Sequence, residues 1–130
     1  MHILSARATG LLLAASAAFI APAQAADQAP PPAPYVKVSS ALPLPEFIPG
    51  LGTLYVEPAK LPAGPFLAYD RQGKLSATVY MTPIADLQNG KAFDNLGVGN
   101  CNVVSVDVHY NAGHPGVEKP HAHVVLYHDA

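Results

Sequence analysis

Histidine is concentrated at one end of this 130-residue chain. Five of its six histidines follow one another closely: His109, His114, His121, His123 and His128. Imidazole is the commonest protein ligand for transition metals, and it is also the side chain that changes charge near neutral pH. Because only 12% of the residues are charged, this cluster is where specific chemistry is most expected.

Four of these five histidines fall on two segments with the alternation typical of β-strands, 100–110 and 121–128, which we expect to pair as a hairpin across a long loop. Successive side chains of a strand point to opposite faces. Matching the apolar faces of the two strands places four polar side chains on one surface: Asp107, His109, His121 and His123. Cross-strand neighbours have Cβ atoms about 4.5–5.5 Å apart, so three imidazoles and a carboxylate can bind one ion at about 2.0–2.2 Å.

The connecting loop contains the string Gly113–Gly116, in which His114 is followed by a proline, and it ends at Pro120. Glycine and proline at this density predict a bent loop that folds His114 back over the strands as a further ligand. Nitrogen and carboxylate donors suit zinc or copper(II). His128 faces the other way by alternation. The alternative is that the His-x-His pair is hydrogen-bonded within the sheet and binds no metal.

The rest of the chain has mostly strand-like patterning. We expect a strand at 54–56, a hairpin of 66–69 and 74–81 around a turn at 70–73, and a helix at 83–89 that ends at Gly90, with another helical turn at 92–96. Together these elements predict an α+β fold: a mainly antiparallel β-sheet with one or two short helices in a single small domain.

The N-terminus is typical of an export signal. An apolar run at 8–20 follows Arg7, and small residues occupy positions 23 and 25, which predicts a signal peptide at 1–25 that is cleaved near Ala25. A Pro-rich leader at 26–42, expected to be an extended spacer, would precede an α+β domain at 43–130. The mature protein is therefore predicted to be secreted or periplasmic, with no membrane segment.

Composition excludes one class of partner. Without Arg7, six basic side chains face nine acidic ones, a net charge of −3, which argues against nucleic-acid binding. Cys101 is the lone cysteine, so no internal disulfide forms. Packing, pairing between chains and, least favoured, nucleophilic chemistry are its alternatives.

Five strings of the sequence resemble a family of small exported bacterial proteins of unknown function: Gly52–Pro58, Leu61–Asp70, Val79–Pro83, Gly113–Gly116 and Pro120–His123. The Gly-His-Pro and Pro-His-x-His signatures are the most specific of these. The resemblance spans roughly Pro43 to His128. It implies export and the importance of His114 and His121, and it implies no activity or ligand.

Three functions remain open. The first is an exported module that binds or senses a divalent metal through the histidine cluster. The second is a non-catalytic envelope or stress protein that works as a homo-oligomer and whose histidines pack the sheet. The third is a small metal-dependent enzyme, the least favoured because the sequence contains no Gly-x-Ser-x-Gly elbow and no paired glutamates.

Overall fold

The computed structural model describes Gly10 and residues 27–99 and 101–129. The predicted signal peptide therefore lies, apart from Gly10, outside the described residues. The strands are β1 (Val36–Lys37), β2 (Thr53–Val56), β3 (Phe66–Tyr69), β4 (Leu75–Pro83), β5 (Val103–Asn111) and β6 (His121–His128). The helices are α1 (Val38–Ala41), a 3-10 turn (Pro58–Lys60) and α2 (Ile84–Gln88).

The strands form one antiparallel sheet in the order β1-β2-β3-β4-β6-β5, which confirms the predicted α+β fold. β3 and β4 lie in its middle and are buried on both faces. One face carries the main core, including Val56, Phe66 and Val79, and the other carries a smaller cluster around Tyr69 and Leu75. Among the described residues, no helix has the length and apolar character needed to cross a bilayer.

The C-terminal hairpin turns its polar face toward the main core. His109 lies opposite His123 and Asp107 opposite Val125, so the predicted polar residues do share one surface. That surface continues the main core, because Val125 pairs with Val79 on β4 and is only 6% exposed. The apolar face of β5 is instead open to solvent, with four large side chains at least half exposed: Val104, Val106, Val108 and Tyr110.

The helix is one residue shorter at each end than the predicted range of about 83–89. Pro83 is the last residue of β4 and pairs with His121, so the helix begins only at Ile84, whose amide donates to the Pro120 carbonyl. Pairing with β6 therefore overrides the local preference of Thr-Pro to start a helix. The expected turn at 92–96 is not helical.

The Pro-rich segment contacts the sheet, whereas the sequence predicted a free spacer. The Leu75 amide donates to the Asp27 carbonyl at 3.1 Å, and the Ala29 amide donates to Gly73 at 2.8 Å. Further on, β1 pairs with β2, and Val38 is buried in the main core. Without this segment β2 would be an unpaired edge strand, and β1 covers that edge.

Because one hairpin face is covered and the other exposed, the same valine-to-alanine substitution should destabilise the protein by different amounts on the two faces. Val125→Ala should lower the free energy of unfolding by about 2 kcal/mol, since it removes two buried methyl groups and leaves a cavity. Val108→Ala, at a residue that is 66% exposed, should change it by less than about 0.5 kcal/mol. Denaturant titration of both variants at a concentration where the chain is monomeric measures this. The reverse order would contradict the orientation of the hairpin.

Candidate metal site

Three histidines meet at one end of the buried face of the hairpin. His121 and His123 are alternate residues of β6, and His114 comes from the loop between β5 and β6. Their nitrogen donors all lie within 4.8 Å of one another. The three side chains are therefore close enough to bind one metal ion.

A tight turn brings His114 to the site. His114 and Val117 exchange two backbone hydrogen bonds of 3.0 Å, and the Gly113 amide donates to the Asn111 side chain at 2.9 Å. Gly113 has a φ of +125°, and a Cβ there would lie 2.1 Å from the Glu118 carbonyl oxygen. Only glycine fits at this position, so the turn and the placement of His114 depend on it.

The Nε2 atoms point at one another. His121 Nε2 lies 2.8 Å from His123 Nε2 and 3.2 Å from His114 Nε2. Ligands of a tetrahedral zinc ion with Zn–N bonds of about 2.0–2.1 Å lie about 3.3 Å apart. These two spacings are close to that value, and all three donor nitrogens lie within 4.8 Å of one another, so the rings need only move to share one ion.

The other ring nitrogens determine where the protons are. His121 Nδ1 lies 2.7 Å from the Lys119 carbonyl oxygen, and His114 Nδ1 lies 3.1 Å from that of Pro115. A carbonyl oxygen only accepts hydrogen bonds, so both Nδ1 atoms carry the proton and donate it. In the neutral rings, both Nε2 atoms are consequently bare lone pairs.

These lone pairs need hydrogen-bond donors, and the cluster does not supply enough of them. His123 Nε2 carries at most one proton and can satisfy only one neighbour. When it donates to His121 Nε2, 2.8 Å away, the 3.2 Å contact between His114 and His121 joins two acceptors, and Nε2 of the partly buried His114 lacks a donor from within the cluster. A cation between the three Nε2 atoms satisfies all of them at once.

The site keeps His123 neutral. Burial, followed by the neighbouring imidazoles of His121, His114 and His109, lowers the pKa of His123 to about 4. A metal binds only the unprotonated ring. His123 is therefore uncharged in the neutral pH range, which is the form that can bind a metal.

The structure brings together three of the five predicted ligands. Asp107 and His109 lie on the same face of the hairpin as His121 and His123, but they do not belong to the donor group. His109 is nevertheless near enough to lower the pKa of His123. His109 is exposed on the edge strand, whereas His114 reaches the two β6 histidines from the loop. His128 lies on the opposite face, as alternation predicts, with its Nε2 2.7 Å from the Thr78 hydroxyl.

Two cavities adjoin the histidines, and neither was predicted from the sequence. A cavity of about 460 Å³ is lined by His121, Leu61 and Glu118 among others. A second, of about 200 Å³, is lined by His114, His123 and apolar side chains of the core. Their walls come from distant parts of the chain, so no local motif indicates them.

Cys101 lies away from this site. It packs against the smaller cluster around Tyr69, and its thiol lies 3.5 Å from the Asp27 carboxylate. Burial, followed by this carboxylate, raises the pKa of the thiol, which opposes the thiolate needed for nucleophilic chemistry. The packing interpretation of Cys101 fits these contacts.

Comparison with solved structures shows a similarity to a protein of known structure. No family model and no curated protein matched the chain. The crystal structure of a hypothetical protein from Thermus thermophilus, TTHB210, is 41% identical and has a TM-score of 0.58, over 72% of this chain and 84% of that one.

The lowered pKa of His123 predicts how the stability of the metal-free protein depends on pH. The ordinary pKa of 6.5 applies to the unfolded chain and about 4 to the folded one. Between these values only the unfolded chain binds the proton, so the free energy of unfolding should fall as pH is lowered from 6.5 to 4. Denaturant titrations across this range should show a smaller fall for His123→Gln. The exposed His109→Gln is the matched control, and equal reductions in both variants would contradict the assignment.

Proposed function

This chain belongs to the same family as that Thermus protein, and we propose, from the convergence of its three histidines, that it is an exported divalent-metal-binding module in which His114, His121 and His123 hold the ion. One observation carries the proposal. Two of the three rings donate their Nδ1 protons to backbone carbonyls and turn their bare Nε2 atoms to a common point. Metal-binding histidines are held in this way by outer hydrogen bonds that fix the tautomer.

The donor set favours particular ions. Three neutral imidazoles suit zinc or copper(II), whereas calcium and magnesium require oxygen ligands. Zinc with three protein ligands keeps a fourth position for water or another small ligand. The module therefore holds its ion in an open site, a form suited to binding or sensing as well as to storage.

Export is supported by the sequence. The apolar run at 8–20 and the small residues at positions 23 and 25 are typical of a cleaved signal peptide. The resemblance to small exported bacterial proteins supports the same placement. In the periplasm or outside the cell, the module would bind metal ions that have not yet entered the cytoplasm.

Zinc titration of the mature chain tests the metal site. Isothermal calorimetry should show one ion per chain, and His121→Ala should weaken binding by more than about 100-fold, because even loss of an outer-shell partner costs about 10–100-fold. His114→Ala and His123→Ala should have comparable effects.

His109→Ala and Asp107→Ala are the matched controls for this titration, since both residues lie on the neighbouring strand outside the donor group. They should bind zinc with nearly unchanged affinity. If zinc does not bind, or if the controls lose it while His114→Ala retains it, the proposed site is wrong.

A second function is favoured by the apolar face of β5. This strand is at the edge of the sheet, and its exposed side chains include Val106, Val108 and Tyr110. If two copies of the chain paired their β5 strands antiparallel about a twofold axis, the exposed apolar side chains of one copy would lie next to those of the other. Self-association through β5 is compatible with metal binding, because the histidines lie on the opposite face of the hairpin.

Self-association predicts a dimer that added charge dissociates. Val106→Lys combined with Val108→Lys should convert a dimer into a monomer in analytical ultracentrifugation, because the lysines of the two copies would lie beside one another across the paired strands, where like charges repel. Gln72→Lys combined with Gln88→Lys adds the same charge at exposed positions elsewhere and should leave the dimer intact. A monomeric parent chain at micromolar concentration would contradict the model.

A further inference from the structure

The smaller cavity beside the histidines is apolar apart from the ligands themselves. Its volume is about 200 Å³, and its lining consists of His114, His123 and eight apolar residues, among them Leu44, Leu51 and Phe66. These apolar walls belong to or pack against the main core. A cavity with such walls disfavours a polar occupant everywhere except next to the two histidines.

An ion in the proposed site would lie at the border of this cavity, since two of its three ligands line it. The three imidazoles are neutral when they bind metal, so a divalent ion keeps its double positive charge. The donor group contains no carboxylate among the described residues. An unbalanced charge next to apolar walls is costly, and an anionic fourth ligand offsets that cost.

We propose that the metal-loaded protein binds a small monocarboxylate, whose carboxylate takes the fourth position on the ion and whose apolar body fills the cavity of Leu44, Leu51 and Phe66. This inference rests on the proposed metal site. At about 30 Å³ for each non-hydrogen atom, the cavity holds six or seven such atoms. Pentanoate, with seven, matches it, whereas acetate leaves most of it empty.

The experiment compares three probes on the zinc-loaded mature chain by calorimetry. Each methylene buried tightens binding about fourfold, so pentanoate should bind about 60-fold more tightly than acetate. 1-Pentanol has a chain of the same five carbons without the charge and should bind far more weakly than pentanoate. Pentanoate should also bind far more weakly to the zinc-free chain.

Two variants locate the pentanoate. Leu44→Trp and Leu51→Trp should each fill part of the cavity and remove most of the preference for pentanoate, while zinc affinity and acetate affinity are retained. Both residues are only partly buried, so two independent positions are available if one variant does not fold. Leu87→Trp, at an exposed residue of α2, is the matched control and should bind pentanoate as the parent does.

The outcomes separate the two proposals. If zinc binds but pentanoate binds no more tightly than acetate, the cavity is not a ligand pocket and the metal site stands. If pentanoate is preferred equally by Leu44→Trp, Leu51→Trp and the parent, it binds elsewhere and the inference is wrong. If zinc itself does not bind, the metal site and this inference fail together.

Discussion

The candidate site depends on a conflict between hydrogen-bond acceptors. His114 and His121 both commit their Nδ1 protons to backbone carbonyls, and their bare Nε2 atoms then meet 3.2 Å apart in a region where His121 is almost wholly buried. Buried polar atoms normally have partners. A proton on His123 Nε2 satisfies His121, but a second proton for His114 would make the cluster positively charged, and burial beside the other imidazoles lowers the pKa of His123. A metal ion provides the charge together with three strong bonds.

The fold produces this conflict through the position of β6. This strand lies between β4 and β5, so the side chains on its inner face are covered by the core. Val125 is an ordinary core residue, and the same alternation places His123 and His121 further along that face. His121 is buried and His123 partly buried because β6 lies inside the sheet. The turn at Gly113 then adds His114 from outside the sheet.

The strand pattern and the alternation of the hairpin were predictable from the sequence. The observed β3 and β6 have the predicted bounds, and alternation correctly separates His128 from His121 and His123. Alternation does not show which face is buried, however. In β5 the valine face is exposed, because the sheet packs its core against the other side.

The composition of the site was only partly predictable. His-x-His on a strand indicated two of the three members, and the Gly-His-Pro loop indicated the third. The choice of His114 over His109 depends on the path of the turn, which the backbone contact between Gly113 and Glu118 restricts. The cavity walls come from residues as far apart as Leu44 and Val125, so they exist only in the folded chain.

Anomalous diffraction at the zinc absorption edge, from crystals of the mature chain grown with zinc, tests the central claim most directly. We predict one strong peak within about 2.0–2.1 Å of the Nε2 atoms of His114, His121 and His123. A peak at Asp107 and His109 instead, or no peak beside the three rings when zinc is in excess, would contradict the account.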